Sequence, residues 1–162
     1  MTSDKPTIFL DIDGVMVTTR QEYNDMHPKY HTSYFDEICV EVLNIIADNV
    51  TDLQLIISSD WRNNYSLNVL TLAFKEYGVK ITIEGITPNL WGKKFKSMKQ
   101  LEECRAAEIL EYVESHKLTN WVAVDDLNLS PWIPENFAYC SRSTEGIKQS
   151  GVKNKILNIL NK

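Results

Sequence analysis

Two aspartates one residue apart, Asp11 and Asp13, precede Gly14, and a second acidic pair, Asp125-Asp126, recurs far along the chain. In an extended segment, residues two apart face the same way, so Asp11 and Asp13 would point to one edge of a sheet while Ile12 turns into the core. Gly14 then allows a sharp bend. If the two acidic pairs meet, three or four carboxylates share a small volume, where repulsion raises their pKa values and opposes folding. A cation must balance them, unless an internal lysine or arginine already neutralises the site. With no His or Cys beside them, the oxygen-only donors favour a hard ion, and Mg²⁺ suits a couple of carboxylates, a carbonyl and waters. A phosphate group bound to that ion would complete its shell. Each fragment also has an ordinary explanation. Asp-x-Asp-Gly is a common turn, Asp125-Asp126 a helix cap, and Ser58-Ser59 a cap or turn. What argues for the joint reading is that each directly follows an apolar run.

Those runs are Thr7 to Leu10, Leu53 to Ile57 and Trp121 to Val124, short and β-branched enough to predict buried strands. Between them the spacing predicts helices, with Ile38, Val42, Ile45 and Ile46 on one inward stripe and Leu67, Leu70, Phe74 and Tyr77 on a second. Gly78 ends the second helix. A third covers Glu103 to His116 with Ile109, Leu110 and Val113 inward, and Val152, Ile156, Ile159 and Leu160 stripe the last. Strands alternating with amphipathic helices predict an α/β three-layer sandwich, a Rossmann-like parallel sheet flanked by helices. Ligands of such sheets bind outside the carboxyl ends of the strands, where Asp11, Asp13, Ser58, Asp125 and Asp126 fall. Thr18 to Phe35 and Ile86 to Lys99 read as loops over that site.

At 162 residues, 43% hydrophobic and 24% charged, the chain is long enough for one real core, and residues 1–162 read as a single domain. The net charge of -5 disfavours a protein living on nucleic acid through a broad basic surface, though not a local basic patch. Cys39, Cys104 and Cys140 lie far apart and read as small buried residues. No apolar run approaches the roughly 18–20 residues of a membrane span. The first six residues carry Asp4 and Pro6 where a signal peptide would be basic and then apolar, so the chain reads as cytoplasmic.

The string Ile8-Phe9-Leu10-Asp11-Ile12-Asp13-Gly14-Val15 resembles the first motif of the haloacid dehalogenase-like (HAD) superfamily, Leu55-Ile56-Ile57-Ser58 its second, and Val124-Asp125-Asp126 its fourth. More narrowly, Ser58-Ser59-Asp60-Trp61-Arg62, Arg105-Ala106-Ala107-Glu108-Ile109-Leu110 and Ser143-Thr144-Glu145-Gly146-Ile147 resemble the small branch attached to RNA-repair proteins. The resemblance implies that Asp11 is a nucleophile forming an aspartyl-phosphate, and that Asp13 is the acid and base. Asp13 points to phosphate chemistry, since relatives acting on carbon–halogen bonds lack a second acid there and ion-pumping relatives carry Thr. The Asp13 carbonyl and the carboxylates of Asp11 and Asp125 would hold Mg²⁺, with Asp126 as a ligand or neighbour. Ser58 would bond a phosphoryl oxygen, with Ser59 as runner-up. The third motif is a lone basic residue: Arg105, at the opening of its helix, is the choice, and Lys99 and Lys94 are alternatives.

The stretches after Val15 and after Gly78 are too short for a large cap domain, and an open site favours large or polymeric substrates. The run Trp91 to Lys99 mixes cations (Lys93, Lys94, Lys96, Lys99) with aromatics, as nucleic-acid contacts do, or is a solvated loop. Ser59, Arg62 and Lys94 are the candidate substrate contacts. Tyr23, His27, Tyr30, His31 and Tyr34 read as a packing flap more than as a substrate surface. His27 and His31 as metal ligands are disfavoured by Pro28. The leading reading is a Mg²⁺-dependent phosphomonoesterase acting on a small phosphorylated molecule, a nucleotide or a nucleic-acid end. The alternatives are phosphotransfer to an acceptor other than water, and an idle phosphate-binding or protein-interaction module, against which the intact Asp11 and Asp13 speak.

Overall fold

Thr7–Leu10, buried at every position, forms β1 at the centre of the sheet in this computed structural model, which describes residues 5–18, 35–92 and 94–162. The chain continues through α1 (Glu37–Asp48), β2 (Gln54–Ile57), a 3-10 turn (Asp60–Asn63), α2 (Leu67–Glu76), β3 (Ile83–Ile86), α3 (Met98–His116), β4 (Trp121–Asp125), β5 (Phe137–Tyr139) and α4 (Val152–Leu160). The five strands are all parallel, in the order β3-β2-β1-β4-β5. A parallel sheet needs both faces covered. Ile8, Leu10, Leu55, Ile57, Val122 and Val124 face α1, α2 and α4, whereas Phe9, Ile56 and Ala123 face α3 and the segment Leu129 to Phe137. The expected α/β three-layer sandwich is therefore present, and the described residues form no large cap domain. No helix among the described residues is long and apolar enough to cross a membrane.

Strand order creates the crevice. From β1 the chain moves to β2 and β3 on one side, then returns to place β4 on the other. Crossovers leaving in opposite directions open a cleft at the carboxyl ends of β1 and β4. Register sharpens this, since Leu10 pairs with Ile57 on one side and Val124 on the other. The residues one step on, Asp11, Ser58 and Asp125, are thus level with one another. The ladder continues there, with Asp11 N donating to Val124 O (3.1 Å) and Ser58 N to Leu10 O (2.9 Å).

Several sequence expectations need correction. Two further strands exist, β3 inside a stretch left unassigned and β5 after β4, both at sheet edges. Helix α3 starts at Met98, not Glu103, because Ser97 caps it by accepting from Gln100 N (3.2 Å) while Gln100 Oε1 accepts from Lys96 N (2.9 Å). Arg105 accordingly lies two turns into that helix and does not open it. On α1 the buried stripe is Cys39, Val40, Leu43 and Ile46, and Ile38 is exposed. Leu110 is exposed as well, leaving Ile109 as the inward residue of its pair. All three cysteines are buried and free, as their spacing predicts. Tyr23, His27, Tyr30, His31, Tyr34 and Lys93 lie outside the described residues.

Candidate active site

After β1 the backbone folds into a tight loop in which Met16 N and Val17 N both donate to Ile12 O (2.8 and 3.0 Å) and Gly14 N to Val17 O (2.9 Å). Ile12 drops into the core, while Asp11 and Asp13 line one pocket. Gly14 has φ +77°, and a Cβ there would fall 2.1 Å from Asp126 Oδ2. Glycine is required on both counts, backbone conformation and the close approach of Asp126. Asp125 closes β4, fully buried, its Oδ1 accepting from Leu127 N (2.9 Å). Asp11 Oδ1 accepts from Ile12 N (2.8 Å).

Carboxylate oxygens of Asp11, Asp125 and Asp126 lie within 4.8 Å of one another. Asp13, Ser59, Asp60, Leu101 and Arg105 complete the pocket, whose volume is about 150 Å³. Arg105 is the internal cation whose presence could have removed the need for a metal. Its Nη1 lies 2.7 Å from Asp125 Oδ2, 2.8 Å from the Ser58 carbonyl and 3.4 Å from Asp11 Oδ1, and its Nη2 lies 3.5 Å from Asp60. One guanidinium thus faces Asp11, Asp13, Asp60, Asp125 and Asp126. The site remains strongly acidic, with five carboxylates facing that one cation. Burial raises Asp125 well above the ordinary carboxylate range even though Arg105 opposes the shift. Burial, then the charge of Asp11 and a shared hydrogen bond with it, push Asp126 up to about 7. Asp13 is also raised by burial, with Trp61 pulling the other way by donating Nε1–H to Asp13 Oδ2 (3.0 Å). Arg105 stays charged, since its acidic neighbours outweigh the cost of burying it. An all-oxygen set of crowded carboxylates fits a hard divalent cation.

The predicted residues do not all gather at one point. Asp11, Asp13, Asp125, Asp126 and Arg105 converge. Ser59 lines the pocket and caps the 3-10 turn by accepting from Trp61 N (3.4 Å). Ser58 sits just behind, 1% exposed, its hydroxyl without a partner. Arg62 stands in the adjoining cavity, where Nη2 meets Glu108 Oε2 at 2.6 Å and Nη1 meets Thr87 Oγ1 at 2.6 Å. Lys94 and Lys99 are exposed, and no described contact joins either to the carboxylates. Sequence reasoning missed Trp61 and Glu108. The signal for Glu108 was its place one turn beyond Arg105 on the same helix face.

Comparison with known families matches residues 7–151 to the family described as HAD domain in Swiss Army Knife RNA repair proteins. No curated protein and no solved structure matches the chain.

Proposed function

Starting from the fact that the chain belongs to the HAD domains of Swiss Army Knife RNA repair proteins, we propose that it is a Mg²⁺-dependent phosphomonoesterase of nucleotide or nucleic-acid terminal phosphates. On this reading residues 1–162 form a single catalytic domain. The supporting observation is the convergence of Asp11 from β1 with Asp125 and Asp126 from β4 beside a single buried Arg105.

Asp11 attacks phosphorus, the ester P–O bond breaks, and the phosphoryl group passes to the Asp11 carboxylate. Asp13 gives its proton to the departing oxygen, which leaves as an alcohol. Asp13, now ionised, then takes a proton from the water that attacks the aspartyl-phosphate, releasing phosphate and restoring both side chains. Splitting one displacement into two is the benefit of a covalent route. The raised pKa of Asp13 suits a group that must first donate and then accept a proton. Trp61, by donating to Oδ2, leaves Oδ1 as the proton-carrying atom. Arg105 fixes the Asp11 carboxylate and sets positive charge against the phosphoryl oxygens. The orphaned Ser58 hydroxyl and Ser59 are the nearby hydroxyl donors for the phosphoryl group, and single Ser→Ala variants separate them. Mg²⁺, held by Asp11, Asp125, Asp126 and the Asp13 carbonyl, would offset phosphoryl charge so that an anionic nucleophile can approach.

The test is phosphate release from p-nitrophenyl phosphate and from terminally phosphorylated oligonucleotides, with Mg²⁺, with EDTA, and with Asp11→Asn. Metal-dependent turnover that Asp11→Asn abolishes is expected. Turnover surviving in EDTA or in Asp11→Asn, or none at all in the intact protein, contradicts the proposal.

A further inference from the structure

Beside the carboxylate pocket lies a second cavity of about 330 Å³, which shares Asp60, Leu101 and Arg105 with it. The two cavities therefore adjoin across these three residues. A phosphoryl group seated at Asp11 would have this cavity as its neighbour, and the volume is at the small end of ligand sites, roughly 300–1,000 Å³. The chemistry of its walls narrows what fits. Arg62 is the cation proper to this cavity, and both of its terminal nitrogens are taken, since Glu108 pairs with Nη2 and Thr87 accepts from Nη1, while its Nε is buried without a partner. The second oxygen of Glu108 accepts from Leu90 N (3.1 Å), which ties the loop after β3 to α3. Arg105 is likewise committed to Asp125, Ser58 and Asp11. A second phosphate or a carboxylate entering here would find no free cation among the described residues of the wall.

Beyond these paired charges and the exposed carboxylate of Asp60 at the junction with the first pocket, what remains is neutral hydrogen-bonding capacity and one ring. Asn63, Asn64 and Asn89 present carboxamides, with Asn89 Nδ2 donating to Asn63 Oδ1 (3.1 Å) and so leaving one donor and one acceptor of Asn89 free. Phe95, half-buried, lies on the same wall, and Trp91 is 46% exposed nearby in the sequence. Side-by-side amide donors and acceptors next to an aromatic face are what an unpaired nucleobase requires, through its edge and its ring respectively.

We propose that this cavity is a leaving-group subsite that takes the base of the nucleotide carrying the terminal phosphate, held by Asn89 and Asn63 at its edge and by Phe95 at its face. The proposal rests on the reading of the carboxylate pocket as the phosphoryl site. Arg62 and Glu108 act as a buried strut that holds the wall and not as ligands.

The experiment compares short oligonucleotides bearing a phosphate at the 5′ or the 3′ end, the terminal residue being either a normal nucleotide or an abasic one. With Mg²⁺, kcat/KM should be at least tenfold higher for the normal nucleotide at one of the two ends. Phe95→Ala and Asn89→Ala should each cut that ratio to about twofold, with Phe95→Tyr restoring it, while thermal melts verify that each variant is folded. Equal rates on normal and abasic ends, or a ratio unchanged in both variants, would overturn the subsite. If no substrate is hydrolysed, the phosphatase reading fails. The subsite is then judged by fluorescence anisotropy on the same oligonucleotides in EDTA. Tighter binding of the normal end, lost in Phe95→Ala, supports it, and equal binding of both ends refutes it.

Discussion

Replacing Arg105 by methionine tests the electrostatic account of the site most directly. Methionine keeps the bulk of the aliphatic stem but removes the guanidinium, which is 4% exposed and 2.7 Å from a carboxylate that is 1% exposed. Breaking a buried ion pair from one side costs about 3–5 kcal/mol, because it strands the remaining charge. The contact with Asp60, 64% exposed, adds little, and the stranded Ser58 carbonyl falls within the same range. Protonation offers an escape. Asp125, already raised by burial, would rise further without Arg105. A carboxyl whose folded pKa exceeds its unfolded value of ~3.9 contributes stability that is present below that value and lost as pH rises through the folded one. Urea unfolding in EDTA should therefore show Arg105→Met about 3–5 kcal/mol below the parent at pH 8, with the gap narrowing toward pH 5. The residue at low pH, about 1–3 kcal/mol, is the cost of the unpaired Ser58 carbonyl. A gap under about 1 kcal/mol at pH 8, or one that does not change with pH, would show that Arg105 is not the counter-charge described here.

Three further outcomes follow from the same geometry. Gly14→Ala and Gly78→Ala both place a side chain at positive φ, about 1–2 kcal/mol of strain, but only at residue 14 does the new Cβ meet Asp126; Mg²⁺ should raise the melting temperature of the Gly78 variant as in the parent and that of the Gly14 variant far less, and equal responses would contradict the packing. Asp126 holds a proton up to about pH 7 without metal, so Mg²⁺ must displace it; affinity measured by titration calorimetry should rise from pH 6 to pH 8, up to about tenfold per unit on the acid side, and a flat profile would count against Asp126 as a ligand. Asp36 caps α1 by accepting from Ile38 N and Cys39 N and pairs with Lys148, so Asp36→Ala should cost about 1–3 kcal/mol in urea. Although burial works against it, its bonds to Lys148 and Thr18 lower its pKa, so that difference should persist above ~3.9 and shrink as pH falls through the depressed value.

Legibility in the sequence followed the physics of each element. β1, β2 and β4 are buried on both faces and show as unbroken apolar runs, so the carboxylates at their ends could be located before any contact was known. β3 carries Glu84 exposed and Gly85 beneath Tyr112, and β5 is only three residues long. Short, interrupted edge strands protect a sheet against further pairing, and the same features erase their periodicity. On α1 the expected stripe of Ile38, Val42, Ile45 and Ile46 is rotated from the observed one because apolar residues flank the buried face, although the polar Glu37, Glu41, Asn44 and Asp48 mark the outward face. Ser97 with Gln100 was a legible capping signal that places the true start of α3. Trp61 could not be assigned from sequence, since its bond to Asp13 depends on the 3-10 turn after β2, a tertiary placement no local pattern encodes.

Helix α3 explains why the site was harder to read than the sheet. Leu101, Cys104, Arg105 and Glu108 stand at the spacing of one helical face, the spacing that normally marks an apolar stripe against a core. Here the amino-terminal half of that face borders the adjoining cavities, so two of its four members are charged. Only beyond Glu108 does the face become a packing surface, with Ile109, Tyr112 and Val113 against Phe9 and Ile56. Arg105 and Glu108, one turn apart with opposite charge, do not pair with each other. Arg105 turns to Asp125 and Glu108 to Arg62, so the helix supplies the cation of the acidic pocket and an anion of the adjoining one. Both cavities are thus positioned by one rigid element, anchored through its carboxyl-terminal half. On the proposed reading, a displacement of α3 would misplace phosphoryl and leaving group together, whereas a change confined to the loop of Asn89 and Phe95 would disturb the leaving group alone.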